Sequence, residues 1–187
     1  TNDQQLPWGK RDVQSSGKYT LEETNTNEAF AFSNGPGALK ALLFKPHETI
    51  WRVVRDDKGK ITFKPEEMNE KPIAFFGARS CDLRAMAIQD KVFLEKNHVD
   101  VRYQKRRKDL FVIGVNCTYS SSNCFCVSAG GGPLVNSPYD ILMTEVDLGF
   151  VVQAGSDRGE SILKPLMLEH AKAEQTEKAI SRVENAK

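Results

Sequence analysis

Two short apolar runs separated by a charged, helix-forming stretch limit most strongly what this chain can fold into. The runs Pro72 to Gly77 and Leu110 to Val115 are continuous, which is typical of strands covered on both faces. Between them, apolar residues recur near a helical period from Asp82 to Leu94, and a second, charged helix is predicted from Val101 to Lys108. Because a strand, a helical crossover and a strand form a parallel pair, the sequence predicts an α/β core.

Shorter patterns on either side of this core predict antiparallel hairpins. Thr49 to Val54 alternates as a strand does, Asp56 to Gly59 supplies turn residues, and Ile61 to Phe63 returns. Residues 141–154 form the last predicted hairpin. The predicted fold class is therefore α/β, with a mixed sheet that has a parallel strand-helix-strand core and flanking β-hairpins.

Composition shifts divide the chain into three predicted parts. Residues 1–37 form a polar N-terminal entry segment, in which only Phe30 to Phe32 reads as a short strand. Residues 38–160 form the cysteine-bearing α/β domain, which opens with a short helix from Ala38 to Phe44. Residues 161–187 form a charged, amphipathic helical tail.

The charge balance and the length of the apolar runs exclude several classes of function. The 187 residues carry 26 Lys and Arg against 25 Asp and Glu, and this net charge of +1 provides no basic field for nucleic acid. No apolar run approaches the roughly 18 residues of a membrane span, and the first residues lack the pattern of a secretory signal. We therefore expect neither a nucleic-acid partner nor a membrane partner, and the cysteine pattern favours a reducing cytoplasm.

The four cysteines follow the two strands of the predicted core. Cys81 comes just after the first strand and Cys117 just after the second, while Cys124 and Cys126 lie in the same loop as Cys117. Because the carboxyl ends of parallel strands meet at one edge of a sheet, we expect all four thiols to form one site. An all-sulfur site is typical of zinc or of an iron–sulfur cluster.

The spacing favours the cluster but leaves the zinc ion open. Structural zinc sites usually combine two C-x-x-C pairs, whereas only one residue separates Cys124 from Cys126. A cluster has a wider cage than a single ion and accepts ligands from loops after two different strands. The simplest alternative is that Cys81 only packs as a small apolar side chain.

The neighbours of the cysteines suggest an anionic site. A helix that begins near Cys81 would favour a thiolate or an anionic cluster at its N-terminus. The glycines Gly130 to Gly132 could bring backbone N–H groups to the sulfurs. Arg79 and Arg84 could offset negative charge, although arginines at such positions are most often solvated surface groups.

Several ordered blocks of this sequence resemble one known family. The blocks are Leu39–Thr49, Phe76–Ala85, Gly114–Thr118, Cys124–Ser128, Gly132–Pro133 and Tyr139–Glu145. They are similar to the iron–sulfur beta subunit of cytosolic nickel–iron hydrogenases (sulfhydrogenases) and to the related iron–sulfur subunit of anaerobic sulfite reductase. The likeness covers roughly residues 38–160, and departs from the family pattern at Ser80, where proline is expected, and at Arg84, where histidine is usual.

The resemblance implies an electron-transfer subunit without substrate chemistry of its own. Such subunits carry electrons through 4Fe-4S clusters between a flavin-containing subunit and a catalytic subunit, and they generally continue into a ferredoxin module. This sequence has no cysteine after Cys126, so it can build at most one four-cysteine cluster. The alternative is a non-redox protein-interaction module stabilised by one zinc ion. By resemblance, one 4Fe-4S cluster would be held by Cys81, Cys117, Cys124 and Cys126.

Overall fold

A four-stranded mixed sheet, two separate antiparallel hairpins and five helices make up the described fold, which confirms the predicted α/β class. The computed structural model describes residue 6 and residues 8–33, 39–68, 71–95, 97–147 and 149–187. The elements in chain order are β1 (Lys10–Ser15), β2 (Lys18–Glu23), α1 (Lys40–Leu43), β3 (Trp51–Arg55), β4 (Ile61–Pro65), β5 (Ala74–Ala78), α2 (Ser80–Phe93), α3 (Val101–Lys108), β6 (Phe111–Val115), β7 (Ile141–Val146), β8 (Gly149–Ala154), α4 (Asp157–Leu163), a 3₁₀ turn (Lys164–Leu166) and α5 (Ala173–Glu184).

The four-stranded sheet has the order β5-β6-β7-β8. Strands β5, β6 and β7 are parallel, and β8 returns antiparallel to β7 as the predicted final hairpin. Helices α2 and α3 make the crossover between β5 and β6. The parallel strand-helix-strand core is therefore confirmed, and the carboxyl ends of β5 and β6 lie at the same edge of the sheet.

Local hydrogen bonds fix the starts of the two crossover helices. At α2, the Asp82 carboxylate accepts from the backbone N–H of Arg79 at 2.9 Å. At α3, Asp100 accepts from the backbone N–H groups of Arg102 and Tyr103. A side chain that accepts these first N–H groups replaces the partners that a helix end lacks. Both helices begin and end within two residues of their predicted bounds.

The apolar core lies between the crossover helices and one face of the sheet. Leu83 and Met86 on α2 and Tyr103 on α3 are almost completely buried there. A smaller cluster on the other face contains Phe30 and Val115. The buried members of the main cluster are Leu39, Leu43, Ala78, Leu83, Met86, Tyr103, Leu110, Val112, Val135 and Leu142.

Strand β5 differs from its prediction as a strand covered on both faces. It lies at the edge of the sheet, and the Phe76 side chain is 41% exposed. Strand β6 lies inside the sheet, and four of its five residues are buried. The two apolar runs look alike in sequence, but β6 pairs with a strand on each side, whereas β5 pairs only with β6.

The structure of the N-terminal region differs in two ways from the predicted entry segment. Phe30 to Phe32 is not a strand, because side chains rather than a neighbouring strand occupy its backbone groups. The Glu145 carboxylate accepts from the N–H groups of Ala29 and Phe30, at 2.6 and 3.0 Å. In addition, β1 and β2 form an antiparallel hairpin that the polar sequence did not indicate.

The remaining predicted elements are present with small changes. The β3–β4 hairpin is confirmed. The predicted Ala38–Phe44 helix is present but shorter: α1 covers Lys40–Leu43, and Ala38 lies outside the described residues. The tail contains α5 but is interrupted by the 3₁₀ turn at Pro165. The boundaries at residues 37 and 160 remain predictions. Within the described residues, every helix is too short or too polar to cross a bilayer.

Candidate functional site

The carboxyl ends of β5 and β6 deliver the cysteines to one edge of the sheet. Cys81 lies in the first turn of α2, three residues after the end of β5. Cys117 lies two residues after the end of β6, and its backbone N–H donates to the carbonyl of Pro133 at 3.0 Å. Cys124 and Cys126 lie in the loop that follows, which leads to β7. This is the placement that the parallel strands predict.

The four thiols are near enough to influence one another electrostatically. Charge on Cys117 or Cys126 raises the pKa of Cys81. Charge on Cys126 or Cys124 likewise raises the pKa of Cys117. Across the described ranges, however, no three cysteine, histidine or acidic side chains form a group compact enough to hold a metal ion. The thiols therefore share one edge without forming a closed ligand set.

Loss of water is the main influence on two of the thiols. Although Cys81 is exposed as a residue, partial desolvation of its thiol, followed by the charge of Asp82, raises its pKa from an ordinary 9.0 to about 11. Burial also raises the pKa of Cys117, against a lowering effect from the Arg79 guanidinium. Both thiols are therefore protonated at neutral pH in the metal-free chain. Binding of a metal would have to release these protons.

The raised pKa of Cys81 predicts slow alkylation, although the residue is exposed. The thiolate is the reactive form, so the rate should rise about tenfold for each pH unit below the pKa. With iodoacetamide, alkylation of Cys81 in the urea-unfolded chain should reach half of its maximal rate near pH 9 and level off near pH 10. In the folded, metal-free chain the rate should still be increasing at about pH 11. Peptide mass mapping measures both rates, and the same plateau in the two states would contradict this account.

Arg79 is the buried cation of the site. Its side chain lies just before α2, and the residue is only 3% exposed. Nη2 donates to the carbonyls of Phe30 and Phe32 at 2.7 and 3.1 Å. Nη1 donates to the carbonyl of Asn116 at 3.4 Å and to the Cys117 sulfur at 4.0 Å. The guanidinium thus joins the N-terminal region to the loop after β6.

The glycine run has a different role from the predicted one. The N–H of Gly131 donates to the carbonyl of Cys126 at 2.8 Å, and the N–H of Gly130 donates to the carbonyl of Val127 at 2.9 Å. These two groups therefore close the loop and are not directed at sulfur. The guanidinium of Arg84, which is exposed, lies over both glycines, and an added Cβ at Gly131 would lie 3.3 Å from it.

The unpredicted N-terminal hairpin braces the cysteine loop. The Tyr119 hydroxyl donates to the carbonyl of Asp12 at 3.0 Å. Two further side chains of the loop, Ser122 and Asn123, donate to Gln14 at 3.2 and 3.0 Å. Sequence reasoning missed these contacts because the hairpin carries no motif, and only the folded chain brings the two segments together.

The surface around the cysteine loop is open and partly apolar. Cys81 and Cys124 are exposed, while Cys117 and Cys126 are partly buried. Phe125, between two of the cysteines, is 74% exposed, and Val127 is 51% exposed. Large exposed apolar side chains beside the cysteines form a surface suited to contact with another protein.

Comparison with known proteins supports the resemblance drawn from the sequence blocks. The chain is similar to sulfhydrogenase 2 subunit beta of Pyrococcus furiosus, with 28% identity over 153 residues, or 81% of this chain. It spans 43% of the length of that relative. No family model matches the chain, and no solved structure matches it.

Proposed function

We propose that the chain is an electron-transfer iron–sulfur subunit or domain of an oxidoreductase complex. It would bind one 4Fe-4S cluster and relay electrons between a flavin-containing subunit and a catalytic subunit of the hydrogenase or sulfite reductase type. The proposed ligands are Cys81, Cys117, Cys124 and Cys126. The similarity to a sulfhydrogenase beta subunit supports the oxidoreductase class.

The observation that supports the proposal is that all four cysteines follow β5 or β6 at one edge of the sheet, although their thiols do not form a closed ligand set. They come from loops after two adjacent parallel strands, β5 and β6, where sites in open α/β sheets generally form. Each thiol lies within electrostatic reach of at least one other. This edge contains every cysteine in the sequence.

The donor set and its surroundings fit an anionic iron–sulfur group. Thiolates are the ligands that iron–sulfur clusters use, and the guanidinium of Arg79 supplies positive charge beside Cys117. When bound, a 4Fe-4S cluster would supply a one-electron carrier. The chain itself would hold the ligands in place through the closed loop at Gly130 and Gly131 and would limit water at Cys117, which is partly buried.

A partner protein would dock against the cysteine loop. Electron transfer needs a short path between donor and acceptor, and Cys81 and Cys124 reach the surface there. The exposed side chains of Phe125 and Val127 offer apolar area for that contact. We also propose that the chain works in the cytoplasm, where thiols remain reduced and available as ligands.

The metal content of the chain, purified without oxygen, tests this function. We expect about four iron and four acid-labile sulfide per polypeptide, with a visible absorption band that dithionite bleaches. Zinc is measured in the same sample. About one zinc without sulfide would overturn the redox function and would point to a zinc-stabilised interaction module. Absence of both metals after anaerobic reconstitution with iron and sulfide would overturn the ligand set.

A further inference from the structure

The guanidinium of Arg79 carries a positive charge and is buried. In the part of the chain that the structure describes, no acidic side chain lies within salt-bridge distance of its guanidinium. Asp82, three residues along the chain, uses one carboxylate oxygen to accept the backbone N–H of Arg79. By contrast, Arg102 and Arg106, on α3, both contact the carboxylate of Glu48.

A buried guanidinium that lacks a counter-ion is costly. Taking a charge out of water normally requires an opposite charge as well as hydrogen bonds. Three backbone carbonyls accept hydrogen bonds from the Arg79 guanidinium, but carbonyl groups carry no net charge. The guanidinium also lies over the rings of Phe30 and Phe32, 5.3 and 5.9 Å from their centroids, and these rings are likewise uncharged. The Cys117 sulfur lies 4.0 Å from Nη1. Negative charge at this sulfur would complete the environment of Arg79.

We propose that Arg79 is a positioning residue that supplies the fixed counter-charge of the cysteine site and raises the reduction potential of the group that the cysteines hold. This inference rests on the proposed function. Reduction adds one electron to the bound group, taken from dithionite in the experiment, and makes the group more negative. A nearby buried cation stabilises the reduced form more than the oxidised form, because screening by water is weak there.

Arg84 provides a matched comparison on the same helix. It also lies near the cysteine loop, but it is exposed, and its guanidinium lies over Gly130 and Gly131. Water and salt screen an exposed charge far more strongly than a buried one. Replacing Arg84 should therefore change the potential much less than replacing Arg79.

The test compares Arg79→Met, Arg79→Lys and Arg84→Met with the natural chain after anaerobic loading with iron and sulfide. Each is titrated against dithionite while the visible band is followed. For Arg79→Met we expect the ratio of reduced to oxidised protein at a fixed potential to fall about tenfold, which is about 59 mV for one electron. Arg79→Lys should keep most of the natural value because it keeps the charge, and Arg84→Met should shift the ratio by less than about twofold.

Each outcome separates the inference from the function on which it rests. A natural chain without iron contradicts the proposed function, whatever the variants do. A loaded Arg79→Met variant with the natural potential overturns the role of Arg79. If Arg79→Met does not fold or does not load iron, Arg79→Lys decides. A folded Arg79→Lys chain that loads iron at the natural potential supports the charge role, and one that loads no iron or shifts as far as tenfold overturns it.

Discussion

Replacing Cys81 by serine is expected to remove most of the iron and sulfide from the anaerobically purified chain. Cys81 is the proposed ligand that comes from α2, while the other three come from the loop after β6. Loss of groups that merely support metal ligands already costs about 10–100-fold in metal affinity, so loss of a ligand should cost at least about tenfold. Iron, sulfide and the visible band are measured per polypeptide.

Ser128→Ala is the matched control for this substitution. Ser128 lies two residues after Cys126 and is exposed to solvent, so its loss should leave the iron content unchanged. Circular dichroism shows whether both variants keep the natural secondary structure. A folded Cys81→Ser chain with natural iron and an intact band would remove Cys81 from the ligand set and leave only the loop cysteines.

The core of the fold was predictable because its signals are local. The apolar run before Gly77 and the one that begins at Leu110 each form a strand, and helical periodicity between them marks α2 and α3. Parallel pairing then follows from the crossover rule, without knowledge of any contact. The placement of Cys81 and Cys117 at one edge is a consequence of that topology.

The N-terminal region was not predictable because long-range contacts hold it. Asp12, on β1, is buried although it is acidic, and it accepts from the N–H and hydroxyl of Ser33. Phe30 resembles a strand residue, yet Glu145 and Arg79 occupy its N–H and carbonyl. No pattern within residues 8–33 encodes Glu145 or Arg79 as partners of Phe30, and Glu145 lies 115 residues away.

The sequence also could not distinguish the two arginines near the cysteines. Arg79 and Arg84 flank Cys81 and carry the same side chain, but Arg79 is buried and Arg84 is exposed. Arg79 is buried because its guanidinium donates to the carbonyls of Phe30 and Phe32 in the N-terminal region. These carbonyls come from a distant part of the chain, so the sequence around Cys81 does not show which arginine they bind.

Gly159→Ala should destabilise the fold by about 3 kcal/mol, although helix propensity alone predicts the opposite. Gly159 lies inside α4, where alanine normally gains about 1 kcal/mol over glycine. In this fold, however, an added Cβ would lie 1.8 Å from the carbonyl oxygen of Asp140. That backbone is fixed, because the N–H of Asp140 donates to Val112 and its carbonyl accepts from Gly155. Urea unfolding measures the loss.

Gly132→Ala is the control for this prediction, since nothing lies within 4 Å of an added Cβ at Gly132. Its free energy of unfolding should stay within about 0.5 kcal/mol of the natural value. A Gly159→Ala chain as stable as the Gly132→Ala chain would mean that α4 does not rest against the backbone before β7. Close packing of α4 at this point therefore outweighs helix propensity, because a backbone carbonyl cannot rotate away as a flexible side chain can.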